Sequence, residues 1–346
     1  MFAQAGAVTS YSPTMGGIEL VANGLRETSH GLPLHRAPVV VAELGEVAAN
    51  SVNDVNGNFL SRRLTFTDTI GMEGQFNPDA ETGELTHFVE FVRGEAMGQR
   101  LPIVGSGSNW VAVSVDPIGT FQAYFGPEDP MAALRDLVYI RPYWTLETAL
   151  NSITVSSYDS NDPAASRNGD AILIPTAGGP RASRMFQKFG TSPDDYWGEL
   201  SPSGVAAMDG GALETGSAYQ IRLASETPLT YFVTGEATSL QDWNLPAPEP
   251  GTLLEIPFSL EISDPITLGE SGLDQLFTAV ASAQNRIDEL IVWDTHAGFH
   301  PRPARRFYLE SGSPSPVWRE VGDPVADQGS FELEPGQGYL IRRRGL

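Results

Sequence analysis

One pattern, L-E-x-G-x-x-Y-x-I-R, occupies residues 213–222 and returns at residues 333–342, an offset of 120. Other landmarks repeat in the same order. Thr145-Leu146 returns as Thr267-Leu268 at an offset of 122. Asp170, heading the run Ile172-Leu173-Ile174, returns as Asp288, heading Leu290-Ile291-Val292, at 118. Phe186 and Trp197 return as Phe307 and Trp318, both at 121. Landmarks in one order at a nearly constant offset read as an internal duplication, and each copy is then one supersecondary unit with its own strands and turns.

The pattern inside each unit is that of short strands. The Asp170 and Asp288 runs are continuous apolar stretches bounded by turn residues, as in strands buried on both faces. Tyr219, Ile221 and Leu223 alternate with Gln220 and Arg222, the period of a strand with one buried face, and Tyr339 and Ile341 repeat this with Arg342 on the other face. Gly216 and Gly336 supply a tight turn before that strand. The Phe-to-Trp segments read as antiparallel hairpins with an aromatic anchor. Helix is confined to two pieces, 146–150 and 273–283. In the second, Leu273, Leu276, Phe277 and Val280 fall at helical spacing and predict a small amphipathic helix with its stripe on the core.

Residues 38–138 read as successive strands of a small barrel or sandwich. Leu64 and Phe66 share a face, Val111, Val113 and Val115 alternate with Ala112 and Ser114, and residues 93–99 form a glycine-bearing hairpin after Phe88-Val89-Glu90-Phe91-Val92. Gly31-Leu32-Pro33-Leu34-His35 is echoed by the stretch 254–260, which precedes the second unit. The first module therefore takes in residues 1–37, is interrupted by the inserted 38–138, and resumes over 139–244. A proline-rich spacer, 245–252, leads to the second module, 253–346. With 36 glycines and 26 prolines to break the chain into short strands, the expected fold is mainly β: a small β-barrel or sandwich plus two tandem repeated antiparallel β modules with short helices.

Charge and composition exclude several kinds of work. There are 43 acidic and 21 basic residues, a net charge of −22, and Lys188 is the sole lysine. Nucleic acid and anionic membranes require a basic surface, so neither is an expected partner. The absence of cysteine removes disulfides, thiolate metal sites and thiol catalysis. No apolar run approaches the ~18 residues of a transmembrane helix. Ala3-Gln4-Ala5 has the small-x-small form that ends a secretory signal, which predicts export to the cell surface or the extracellular medium.

Several of these stretches carry a family resemblance. Leu32-Pro33-Leu34-His35-Arg36, Phe88-Val89-Glu90-Phe91 with Gly94 and Gly98, and Ile140-Arg141-Pro142-Tyr143-Trp144-Thr145-Leu146 are three of them. The run 288–294 and the closing stretch 336–343 are the others. Together the chain resembles a family of secreted, paralogous bacterial proteins of unknown function, abundant in verrucomicrobial-type genomes. The resemblance implies export and a β-rich fold, and it carries no catalytic residue or cofactor.

No nucleophile elbow, phosphate-binding loop, dinucleotide fingerprint or H-E-x-x-H is present. His296 and His300 with Asp294 have the spacing of a metal pair, but Gly298, Pro301 and Pro303 predict a loop there. Residues 54–58 open like a calcium loop, then place Phe59 where a turn glycine belongs and Thr65 where a bidentate acid belongs. Residues 159–163 form another oxygen-rich turn. Asp194-Asp195 is a possible carboxylate pair that the second copy replaces with Pro314-Ser315-Pro316. No catalytic residue, metal or cofactor is expected. Trp197 and Trp318, present in both copies, are expected in the core.

The end of the chain differs from the rest. Residues 301–346 carry seven arginines against six acids, on a body that is strongly acidic. Arg302, Arg305, Arg306, Arg342, Arg343 and Arg344 are the candidate contact for an acidic patch on the next subunit. The leading expectation is an exported, non-catalytic structural or surface-assembly subunit of a filament or layer, whose partner is itself or a cell-surface component. The alternative is an extracellular carbohydrate or cell-wall binding module using Trp197 or Trp110, with an unrecognised hydrolase third.

Overall fold

The computed structural model describes residues 14–22, 27–32, 34–48, 61–68, 71, 73–80, 83–93, 97–114, 136–150, 153, 155–158, 169–175, 183–190, 196–201, 204–207, 213, 217–237, 248–261, 264–294, 302–312 and 314–345. In chain order, β1 (Thr14–Ala22) and β2 (Glu27–Gly31) come first. Next are β3 (Val40–Ala48), β4 (Ser61–Phe66), β5 (His87–Arg93), β6 (Arg100–Ser106), β7 (Trp110–Ser114) and β8 (Leu137–Pro142). A single helical turn, α1 (Leu146–Ala149), precedes β9 (Ser157–Tyr158), β10 (Ala171–Pro175), β11 (Ser183–Phe189) and β12 (Tyr196–Ser201). Then follow β13 (Gly204–Ala207), β14 (Ala218–Arg222) and β15 (Leu229–Ala237). The last run is β16 (Leu253–Phe258), β17 (Ile266–Thr267), β18 (Asp288–Asp294), β19 (Arg302–Glu310), β20 (Val317–Glu320), β21 (Glu332–Leu333) and β22 (Tyr339–Arg344). The protein is mainly β.

Strands β3 to β8 close into an antiparallel barrel of order β3-β4-β7-β6-β5-β8. Alternation does what the sequence required of it: Leu64 and Phe66 on β4 and Val111 and Val113 on β7 point inward, joined by Val89 and Ile140. Between β5 and β6 the hairpin closes on Gly98, whose φ of 91° lies in the left-handed region that a side chain disfavours. Two strands break the alternation. On β5, Phe88, Val89, Glu90 and Phe91 are all buried, as are Val138, Tyr139, Ile140 and Arg141 on β8. A barrel strand buried on both faces has something packed on its outside. Strand β8 also runs past residue 138 to Pro142, so the barrel ends four residues beyond the boundary drawn from sequence.

The barrel lies, in the chain, between β2 and the sheet to which β2 belongs. That sheet has the order β13-β12-β11-β10-β14-β2, with β9 parallel to the end of β11. The later sheet has the order β16-β22-β18-β19-β20. Read from β2 and from β16, the first five strands of each have the same chain-order permutation, and all these neighbours are antiparallel. Phe186 and Trp197 sit on the β11–β12 hairpin and Phe307 and Trp318 on the β19–β20 hairpin, and all four are buried. Gly336 makes its turn ahead of β22 with φ of 78°; Gly216 lies outside the described residues. A two-stranded ribbon, β1–β15, covers part of the first sheet, its Tyr231 and Val233 joining Tyr219 and Ile221 in one core.

Helix is scarcer than the spacing predicts. Thr145 and Thr148 cap α1 reciprocally, side chain to backbone in each direction. The helix expected over 273–283 is absent. The described residues there form two 3₁₀ turns, Leu273–Gln275 and Ala283–Asn285. The stripe is only partly kept: Leu273 and Phe277 join the second core and Val280 is buried, but Leu276, expected on the same face, is 37% exposed. The backbone between them pairs elsewhere: the Val280 amide donates to the Leu309 carbonyl at 2.9 Å and the Thr278 amide to Asp288 at 2.7 Å. Tertiary pairing overrode a helical propensity too short to persist alone.

Candidate functional site

Most of the candidate contact arginines are neutralised within the second sheet. Arg305 lays Nε and Nη2 on the two oxygens of Glu320 at 3.1 and 2.8 Å, with Nη2 also on Gln328 at 2.8 Å. Its guanidinium covers Phe307 and Phe331, 4.7 and 4.5 Å from the ring centres. Arg342 donates to Glu255 at 2.8 Å, and Arg343 to Asp288 at 3.0 Å. Arg306 stands 3.9 Å from Glu289, a carboxylate only 1% exposed that Arg286 and Arg342 also flank. These pairs follow from register: Glu255, Arg342 and Glu289 are neighbours across β16, β22 and β18, on one face of the sheet. Arg344 is exposed. Arg302 ends the β18–β19 ladder opposite Asp294, and its side chain lies outside the described residues.

Two Arg–Glu pairs of matching geometry escape a reading limited to aromatic landmarks. Arg184 bonds both oxygens of Glu199 and stacks on Phe186 at 4.9 Å, as Arg305 does with Glu320 and Phe307. The signal was the offset of 121 shared by Arg184 and Arg305 and by Glu199 and Glu320. Asp170 and Asp288 also have a matching use. Asp170 accepts from the amides of Ser156 and Ala224 at 2.9 and 2.7 Å, and Asp288 from the Thr278 amide and Arg343. Each buried carboxylate ties loops to the start of a central strand.

The densest charge lies where the barrel meets both sheets. Glu90 on β5, Arg100 on β6 and Arg141 on β8 point outward from the barrel. There they meet His35, which follows β2, Glu236 on β15 and Glu261, which follows β16. Arg141, 4% exposed, donates from Nε to Glu90 at 2.6 Å and from Nη1 to Glu236 at 2.6 Å and the Arg36 carbonyl at 2.7 Å. Arg100 forks onto both oxygens of Glu261, the Nη1 contact being 2.6 Å, and reaches Glu90 at 3.3 Å. His35 stands between two carboxylates, Nδ1 3.8 Å from Glu90 and Nε2 3.6 Å from Glu261, with Arg100 Nη2 3.2 Å from Nε2. Its backbone is held by a two-way pairing with Glu236 at 2.9 and 2.8 Å. Gly235 permits that approach, since a Cβ there would fall 2.3 Å from the His35 carbonyl oxygen.

Electrostatics keep two carboxylates of this cluster charged. Burial pushes the Glu90 carboxyl up, but His35, Arg141 and Arg100 outweigh it and hold it below the ordinary carboxylate range. Burial raises Glu261 likewise, and the Arg100 and His35 contacts bring it below that range. The cluster accounts for the burial of Glu90 and Arg141 on the outer faces of β5 and β8, where Phe88 also packs on Tyr143 at 5.0 Å. Its members hold one another, and the chemistry it performs is charge compensation at a junction.

Other candidates fall differently. Residues 54–58, 159–163, Asp194-Asp195, His296 and His300 lie outside the described residues, and Asp294 ends β18. Among the described residues, no three His, Asp or Glu side chains are grouped to hold a metal ion, and no helix is long and apolar enough to cross a membrane. Trp197 is buried with the Lys188 ammonium 5.7 Å from its ring, and Trp318 packs edge-on to Phe277 at 5.1 Å. Trp110 is half-buried, with Arg63 4.5 Å from its ring centre and the Gly107 backbone against its indole nitrogen. No protein-family model, curated protein or solved structure matches the chain.

Proposed function

We propose that the protein is an exported, non-catalytic structural subunit that assembles with itself at the cell surface as a filament or layer, its two sheets being copies of one duplicated module. One observation carries this reading: two sheets of the same strand order and a barrel are fastened together by a buried, mutually compensated charge cluster. Such an arrangement gives a subunit of fixed shape, which a regular assembly requires. Export rests on the resemblance to a secreted family. The arrangement around Trp110 and Trp197 favours packing over sugar stacking, so the binding-module reading has no comparable support.

With most of the arginine-rich end paired internally, Arg344 is, among the described side chains of the candidate arginines, the exposed cation for an intersubunit contact. Size-exclusion chromatography and negative-stain imaging over rising concentration, with and without calcium, test the reading. Ordered oligomers are expected, and Arg344→Glu is expected to weaken them with thermal unfolding unchanged. A strict monomer at every concentration overturns it.

A further inference from the structure

The three apolar cores share no residue: one lies under the first sheet, one inside the barrel, one under the second sheet. Each unit therefore has its own hydrophobic support, and the contact joining them contains a buried ionic cluster. Glu261 is the second unit's carboxylate in that contact, reached across 161 residues of sequence by Arg100 of the barrel. Other contacts between the units include His35 beside Glu261, a β-bridge between His30 and Gln337, and the approach of β14 to β16. Beyond these stands the proline-rich spacer 245–252.

We infer that the cluster is an acid-releasable latch, holding the second unit in one orientation against the barrel and the first sheet, and freeing it as a folded unit when its carboxylates take up protons. This goes beyond the assembly reading and does not depend on it. The physical basis is the asymmetry of buried ion pairs. They add little net stability over apolar contacts, but they demand one geometry, and loss of either partner leaves a buried charge unanswered. An apolar joint is indifferent to pH; this one is not.

The charged and titratable groups facing each carboxylate set the direction. Glu261 faces Arg100 and His35; Glu90 faces Arg100, Arg141 and His35; Glu236 faces Arg141. Glu90 and Glu261 are held below the ordinary carboxylate range in the latched state. Latching is therefore complete above the usual glutamate value of about 4.3 and is lost as pH falls through the lower, latched values.

The cysteine-free chain permits a clean test. Cysteines are placed at Val41 on the barrel, 58% exposed, and Val325 in the second unit, 82% exposed. Both are spin-labelled, and the intramolecular distance distribution is measured by double electron–electron resonance in spin-diluted samples, so assembly does not contribute. At pH 7 one narrow distribution is expected. Below about pH 4 it is expected to widen by about twofold, the spread a short linker allows, with circular dichroism of both units retained. Glu261→Gln and, from the barrel side, Arg100→Gln should each widen it at pH 7, and the double variant no further. Arg305→Ala, within the second sheet, should leave it narrow. A distribution that stays narrow in both latch variants overturns the inference, as does acid widening only with loss of ellipticity.

Discussion

His30 and Phe258 hold matching places in the two sheets. His30 pairs in register with Tyr219 and stacks on it at 6.0 Å, and Phe258 does the same with Tyr339 at 5.3 Å. One core thus holds a titratable ring where the other holds a hydrocarbon one. Burial pushes the His30 imidazole down to about 3, so the folded protein keeps it neutral. The unfolded chain takes up that proton near pH 6.5, and stability contributed by this site is complete above 6.5 and declines as pH falls toward 3. The slope is about 1.4 kcal/mol per pH unit, or ~2 kcal/mol between pH 6.5 and 5. His30→Phe should flatten that part of the denaturation-midpoint profile; an unchanged profile would refute the assignment. Nothing near His30 in sequence marks it as buried, because Ser29 and Gly31 show no apolar alternation.

Hairpins β11–β12 and β19–β20 show which parts of an element carry stability. Trp318 is buried against Phe277 in the second core, and Trp318→Ala should cost about 3–5 kcal/mol in chemical denaturation. The Arg305–Glu320 pair on the same hairpin is partly exposed on both sides, and Arg305→Ala should cost less than about 1 kcal/mol. Equal losses would mean that the ion pair, not the aromatic anchor, holds the hairpin. These strands were legible because a period of two, with Tyr339 and Ile341 inward and Arg342 outward, has no helical counterpart. In 273–283 three of the four stripe residues, Leu273, Phe277 and Val280, are buried without a helix, while Leu276 is 37% exposed. Hydrogen bonds to Leu309 and Asp288 chose that backbone over the helix.

Across the molecule, coupling between units should follow the charge cluster. Arg141 bonds Glu90 and Glu236 with almost no exposure, so Arg141→Ala leaves two buried carboxylates short of a partner and should cost about 3–5 kcal/mol. Calorimetry at pH 7 should show the parent unfolding as one coupled transition and this variant as separated ones. A single transition in both would mean that apolar contact couples the units. Strand content, the barrel's inward faces and the buried aromatic anchors could be read from the chain, because a local periodicity against one apolar core dictates each. The junction could not. Glu90, Arg100, Arg141, Glu236 and Glu261, with His35, are scattered over more than two hundred residues and carry no spacing in common. Charged side chains read singly as surface residues. Only the packing of the barrel against two sheets makes them partners, because partnership between buried charges is decided by distances across separate elements.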